Sequence, residues 1–359
     1  MIKVLVVDDS ALVRKLIGRV FATQPDFEIS FARNGKEALE AIAVAVPNVV
    51  TLDVHMPEMD GLACLDRIMI EHPCPVIMFS STTAEGADAT LEALRLGAVD
   101  FVAKPTGAVS LRIDEMAPEL IDKVRQAAGV KLRPSLRLRE RVRHRAGRGA
   151  RPAAPVALST SKSAATGDGL VLVGVSTGGP PALEALLGGL PASFPWPILV
   201  AQHMPASFTG PLARRLDALS ELSVVEVRVP ALLQPGFVYI GRGEADITVS
   251  RRGAGLVAMA APALAEYPWH PSTDRLVRSA LNHMAPSQLI GILMTGMGND
   301  GAEAMTLLRS KGGRTIAEAE ETAVVWGMPG ELVKAGGADF VAPLPDMAAQ
   351  LLKLVPPCR

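Results

Sequence analysis

Leu170-Val-Leu-Val173-Gly174-Val-Ser176-Thr177-Gly178-Gly179, followed by Pro180-Pro-Ala-Leu-Glu-Ala-Leu-Leu187, sets the reading of this chain. A short unbroken apolar run is a buried strand, and the proline-opened segment behind it has a helix's composition. Between them stands a serine flanked by small residues. Strand, glycine-flanked serine, helix is the layout of a nucleophile elbow, in which a sharp, strained turn lifts the hydroxyl to the sheet edge. Ser176 is a candidate nucleophile. A phosphate-binding turn has the same outline, so the stretch alone leaves both readings open.

A serine hydroxyl is a weak nucleophile until a base takes its proton. Of the six histidines, His203 closes the apolar run Pro197-Ile-Leu-Val-Ala201, one strand-helix-strand unit after Ser176. Adjacent strand ends of a parallel sheet bring residues 176 and 203 together. His72 falls in a loop between Glu71 and Pro73, and His144 in a basic stretch. The carboxylate that orients such an imidazole is met by Asp300. It lies in Thr295-Gly-Met-Gly-Asn-Asp-Gly301, directly after the strand-like Leu289–Met294. Glycine-rich loops of this kind also present backbone N–H groups to an oxyanion. Taken singly, His203 reads equally as a core histidine and Asp300 as a helix cap. Together they stand at three strand ends, in the order Ser-His-Asp; the usual α/β-hydrolases run Ser-Asp-His.

Residues 1 to about 125 repeat the alternation of β-branched runs and helical patterns. Strands are expected at Lys3–Val7, Val49–Leu52, Val76–Phe79 and Phe101–Ala103, with helices at Ala11–Ala22, Gly35–Val44 and Leu62–Glu71. The fold class is α/β: two doubly wound parallel-sheet domains, the first flavodoxin-like and the second Rossmann-like. Asp8, Asp9, Asp53 and Lys104 end strands of the first domain and therefore meet at its carboxyl edge. Crowded carboxylates raise one another's pKa, and a hard divalent cation such as Mg²⁺ with one lysine resolves the conflict. Ser80, ending another strand, is placed to bind a phosphoryl oxygen.

Residues 126–168 read as a linker. Lys131 to Arg151 holds nine basic residues and one acid, Glu140, and a Pro/Ala/Ser-rich stretch follows. Gly97-Ala-Val-Asp-Phe-Val-Ala-Lys-Pro105 and Gly337-Ala-Asp-Phe-Val-Ala-Pro343 read as two similar helix-to-strand turns, not a repeat. Composition agrees with a two-domain α/β protein: 359 residues, 49% apolar, 20% charged and only 4% aromatic. A net charge of −1 argues against nucleic acid or membrane as a partner of the whole chain. Cys64, Cys74 and Cys358 form no metal or disulfide spacing, so a reducing, cytoplasmic location is expected.

Residues 1–125 resemble the receiver domains of two-component response regulators. The matching stretches are Val6-Val-Asp-Asp-Ser10, Asp53-Val-His-Met-Pro-Glu-Met-Asp-Gly61, Phe79-Ser-Ser81 and Phe101-Val-Ala-Lys-Pro105. The resemblance implies phosphorylation of Asp53 by a histidine kinase of the CheA type. It implies Mg²⁺ held by Asp9, Asp53 and the backbone carbonyl of His55, with Asp8 in the same pocket. Ser80 and Phe101 would be the switch pair beside Lys104. His55 stands where a polar or acidic residue is more common.

From about 170 to 355 the chain resembles the catalytic domain of CheB-type protein-glutamate methylesterases. The resemblance rests on Gly174–Gly179, Gln202-His-Met-Pro205, His270-Pro-Ser-Thr-Asp274, Thr295–Gly301 and Val324-Val-Trp-Gly-Met-Pro329. It implies hydrolysis of glutamyl methyl esters on methyl-accepting chemoreceptors, with deamidation of selected glutamines. Ser176 would be the nucleophile, His203 the base and then acid, and Asp300 its orienter. The backbone N–H groups of Met297 and Thr177 would hold the oxyanion. No cofactor is implied for the ester chemistry, and a monomer is expected that meets the membrane only through its receptors. Two positions depart from the family pattern: Trp269, where a polar residue is common, and Glu318-Ala319, where a glutamine-acid pair is common. Trp269 and His270 read as a packed loop at the domain rim. The remaining alternatives are the same esterase serving a non-motility array, or a response regulator with a nucleotide-binding output domain. A DNA-binding output has no basic recognition helix to support it.

Overall fold

The computed structural model describes residues 1–104, 109–130, 132, 169–253 and 255–355. Pro105, His144, Cys358 and the basic stretch 131–151 apart from Leu132 lie outside the described residues.

The N-terminal unit alternates β1 (Ile2–Val7), α1 (Ala11–Ala22), β2 (Phe27–Ala32), α2 (Gly35–Val44), β3 (Val49–Asp53), α3 (Gly61–Glu71), β4 (Val76–Ser80), α4 (Ala84–Leu96), β5 (Asp100–Ala103) and α5 (Val109–Ala127). All five strands pair in parallel, in the order β2-β1-β3-β4-β5. Each of the four expected strands is present and one residue longer. The sequence reading missed β2, an edge strand in which only Phe27 and Ala32 are buried, so its apolar period is broken. Four helices start on side-chain caps: the Ser10, Asn34, Asp60 and Thr83 oxygens accept N–H groups of the first turn. Such a cap contributes about 1 kcal/mol.

The C-terminal unit runs β6 (Leu170–Val175), α6 (Gly179–Leu187), β7 (Ile198–Gln202), α7 (Ala206–Leu219), β8 (Ser223–Val227), β9 (Ala231–Leu232), β10 (Phe237–Gly241), β11 (Ala245–Arg252), β12 (Gly255–Pro262), α8 (Thr273–Leu281), β13 (Leu289–Leu293), α9 (Ala302–Ser310), β14 (Arg314–Glu318), α10 (Met328–Lys334), β15 (Phe340–Ala342) and α11 (Met347–Leu354). Seven strands form a parallel sheet ordered β15-β14-β13-β6-β7-β10-β8. A separate antiparallel sheet, β11-β12-β9, was not expected from the sequence. The strands of the large sheet's centre are buried on both faces, as β6, β7 and β13 show along their whole length.

The two units share one continuous apolar cluster. Helix α4 packs on α6 and α7, and the Phe101 ring of β5 lies 4.4 Å from that of Phe208 on α7. Arg215 of α7 pairs with Glu184 of α6 at 2.7 Å and reaches Glu92 of α4 at 3.4 Å. Among the described residues, no helix is long and apolar enough to cross a membrane.

Candidate active site

Strands β6, β7 and β13 lie side by side, with Val175 in register with Gln202 and Gly174 with Leu293. One residue further along, Ser176 stands beside His203. His203 N–H donates to Val175 O at 3.1 Å, and Ser176 N–H to Thr295 O at 3.0 Å. Ladder geometry thus places both side chains at the sheet's carboxyl edge.

The expected strain at the serine is absent. Ser176 is not among the residues with positive φ; the left-handed position is Gly178, at φ 76°. A Cβ on Gly178 would come within 2.7 Å of the Val324 side chain. The turn is sharp because glycine absorbs the bend two residues later.

His203 Nε2 lies 2.8 Å from Asp300 Oδ2. Asp300 is buried, and its carboxylate accepts three further hydrogen bonds: Ser272 Oγ at 2.9 Å, Thr273 N–H at 2.6 Å and Asp274 N–H at 3.1 Å. Burial works to raise its pKa, but His203 and the two backbone N–H groups outweigh burial and hold it below the ordinary 3.8. An anionic Asp300 makes Nε2 the protonated nitrogen and leaves the lone pair on Nδ1. Nδ1 is buried without a partner among the described residues. It is the nitrogen left for Ser176.

Two open donors flank the serine. Among the described residues, neither Thr177 N–H nor Met297 N–H donates to a protein acceptor. Close approach of their two loops needs glycine at 296, where a Cβ would stand 2.8 Å from Ser176 Cβ. The Thr177 hydroxyl is occupied: it donates across the domain boundary to Asp100 Oδ2 at 2.5 Å.

Sequence reasoning missed two supporting residues. Gln202 Nε2 donates to Ser176 O at 3.0 Å and to His203 O at 3.1 Å, tying the two residues together by their main chains. A polar residue ending an apolar strand was the available signal. Thr295 is a hub: its hydroxyl donates to Thr177 O at 2.8 Å and its N–H to Glu318 Oε2 at 2.8 Å. Trp269 packs in its loop against the site. Its ring stacks on His203, with centroids 5.8 Å apart and planes 3° from parallel. His270 is held at the rim by Asp246, 3.0 Å from Nδ1. A cavity of 1110 Å³ opens beside the site, lined by Gln126 and Val130 from one unit and by Gly298, Asn299, Glu320 and Trp326 from the other.

In the N-terminal unit, one oxygen each from Asp8, Asp9 and Asp53 lies within 4.8 Å of the others. Asp8 and Asp53 are buried and Asp9 is exposed. Lys104 Nζ sits 3.0 Å from Asp8 Oδ2 and 2.8 Å from Asp53 Oδ2. Burial pushes the Asp53 carboxyl above its ordinary range, against the pull of Lys104. Three hard oxygen donors at this spacing suit Mg²⁺. The His55 side chain is exposed. Ser80 is turned elsewhere: its Oγ lies 2.5 Å from Thr90 Oγ1 and 3.1 Å from Gly86 O, both on α4. It must rotate to meet a phosphoryl group. Phe101 is buried, with the Lys123 ammonium 5.2 Å from its ring centroid.

Residues 171–351 match the family model for the CheB methylesterase, and residues 4–113 that for the response regulator receiver domain. A protein-glutamate methylesterase/protein-glutamine glutaminase of Rhodopseudomonas palustris is 56% identical over 360 residues, covering 98% of each chain. One of Rhodospirillum rubrum is 51% identical over 355 residues, covering 98% of this chain and 95% of its own. The crystal structure of the Thermotoga maritima CheB methylesterase catalytic domain shares 37% identity at a TM-score of 0.50, spanning 52% of this chain and 98% of that one. The chain belongs to the CheB methylesterase family, with a response regulator receiver domain ahead of the methylesterase domain.

Proposed function

We propose that this protein is a phosphorylation-controlled esterase that hydrolyses glutamyl methyl esters on methyl-accepting chemoreceptors, and deamidates selected glutamines, through Ser176, His203 and Asp300. The observation that carries the reading is the Asp300 carboxylate, fixed by four donors, one of them His203 Nε2. Ser176 Oγ attacks the ester carbonyl while His203 Nδ1 takes its proton, and Asp300 steadies the imidazolium. The Thr177 and Met297 N–H groups receive the oxyanion, a contribution on the order of 3 kcal/mol per donor. Collapse expels methanol, which takes its proton from His203. Water activated by the same nitrogen then releases the glutamate; ammonia replaces methanol for a glutamine.

Control sits in the receiver. Asp53 accepts the phosphoryl group from a histidine kinase of the CheA type. Asp9, Asp53 and the His55 carbonyl, with Asp8 beside them, would hold Mg²⁺, which offsets the phosphoryl charge when bound. Lys104 steadies the acceptor, and Ser80 and Phe101 move with it. The closed state has β5 and α4 packed over the hydrolytic cleft, so phosphorylation shifts the population toward an open one. Residues 1–125 act as the switch, 126–168 as a tether and 169–359 as the enzyme. We place this monomer in the cytoplasm, where the receptor segments it serves would lie.

The test is methanol release from methylated receptor membranes, with and without a small phosphodonor and Mg²⁺. Ser176→Ala should lower the rate on the order of a million-fold, since triad members act as a unit. A loss near tenfold would remove Ser176 from the nucleophile's role. Equal rates with and without phosphodonor, or activation that survives Asp53→Ala, would defeat the switch.

A further inference from the structure

We infer that Glu318 is a positioning residue of the hydrolytic site, holding from below the loop that braces the nucleophile and carries one oxyanion donor. The inference rests on the assignment of Ser176, Thr177 and Met297 proposed above.

Glu318 ends β14 with no exposed surface. Its Oε2 accepts Thr295 N–H at 2.8 Å, and its Oε1 lies 3.0 Å from the Thr322 hydroxyl. Thr295 in turn reaches both sides of the nucleophile: its carbonyl accepts Ser176 N–H at 3.0 Å, and its hydroxyl donates to Thr177 O at 2.8 Å. The Glu318 main chain makes a second link. Its carbonyl accepts Trp326 Nε1–H at 2.9 Å, and Trp326 bridges to Gly296. One buried carboxyl group therefore stitches the 319–327 loop to the 295–297 loop.

A carboxyl group with no exposed surface must be held by its neighbours. Among the described residues, its carboxyl oxygens meet the Thr295 N–H beyond β13 and the Thr322 hydroxyl of the following loop. No charged side chain contributes to its titration, and burial pushes it up to about 7 against those two donors. The neutral acid fits as it stands. Its O–H can donate to Thr322 Oγ1, whose own hydroxyl turns to Ala319 O at 3.3 Å, and Oε2 keeps the Thr295 N–H. Ionisation would keep both contacts but add a full negative charge behind the loop where the oxyanion develops. Like charges in a dry site repel strongly. The protonated form is the working form.

The experiment measures kcat and KM for methanol release by the full-length, phosphodonor-activated enzyme, from below to well above the ionisation of Glu318 at about 7. Wild-type kcat should fall as Glu318 loses its proton. Glu318→Gln, which mimics the neutral acid, should keep the low-pH kcat and lose that fall. Glu318→Ala should lower kcat on the order of tenfold to a hundredfold with little change in KM, the cost of a misplaced reacting group. A Gln variant that falls with pH as wild type does, or an Ala variant with wild-type kcat, would overturn the inference. Ser176→Ala run alongside separates the two levels. If it still hydrolyses, the nucleophile assignment fails; if it is dead while Glu318→Gln titrates as wild type, only the role of Glu318 fails.

Discussion

Thr177 Oγ1 donates to Asp100 Oδ2 at 2.5 Å, joining the residue after Ser176 to the residue before Phe101. Both groups are buried. The other oxygen of Asp100 accepts Phe101 N–H at 2.7 Å and lies 3.4 Å from Lys123 Nζ, so the carboxylate is held from its own side of the interface. Displacing Phe101 must disturb this bond, because the two residues share a peptide.

Asp100→Asn should raise the basal rate of the unphosphorylated enzyme about tenfold, equivalent to the roughly 1.5 kcal/mol of a weak charge-assisted hydrogen bond. The phosphodonor-activated rate should not change. Methanol release with and without phosphodonor checks this; an unaltered basal rate would mean that closure does not depend on the contact.

Arg215 should contribute less to closure. It is partly exposed, with 23% of its side chain accessible, and its reach to Glu92 is 3.4 Å. Such pairs are worth up to about 1 kcal/mol and are screened by salt. Arg215→Met should raise the basal rate by no more than about fivefold, and high ionic strength should produce most of that rise in the wild type. A basal rate indifferent to both would show that the Arg215 pair does not hold the closed state.

Asp300→Asn should cost on the order of ten-thousand-fold in kcat, since an amide in this place no longer selects the Nε2–H tautomer. The residue also marks acid stability. Its folded pKa lies below the ordinary 3.8, so its contribution is complete above that value and is lost as pH falls through the lower folded one. Urea unfolding across acid pH should show a shallower decline for Asp300→Asn than for wild type.

Glu318 has the opposite sign. Its folded pKa of about 7 lies above the ordinary 4.5, so between those values the folded state binds the extra proton and stability falls as pH rises. The full penalty, roughly 3 kcal/mol at most, is present above the folded pKa. Glu318→Gln should therefore melt closer to wild type in mild acid and above it in mild alkali. Equal pH dependence of melting in the two proteins would show that the carboxyl is not neutral when folded.

Much of the site was legible because parallel sheets gather strand ends at one edge. Asp8, Asp53 and Lys104 end three strands of one sheet, Ser176 and His203 follow two of another, and Asp300 lies in the loop after a third. Alternation of apolar runs with helical segments was enough to place them. Strand β2 escaped because an edge strand shows half its residues to water. The antiparallel sheet of β9, β11 and β12 escaped because its strands carry no site residue, and the one apolar run among them, Leu256–Ala261, does not say in which direction its strand pairs. Gln202 and Thr295 escaped for another reason: each works through a hydrogen bond to main-chain atoms, and nothing in residue type tells which carbonyl or N–H will be near.

By itself the sequence determined which polar side chains gather at the carboxyl edge of each sheet, since β-strand period and chain order dictate it. The tertiary structure decided how they are aimed and restrained. It left Nδ1 of His203 without a partner among the described residues, put the left-handed turn at Gly178, laid Trp269 on the imidazole and brought Asp100 onto Thr177. These depend on contacts between segments far apart in the chain, where packing selects among orientations that local sequence leaves nearly equal in energy.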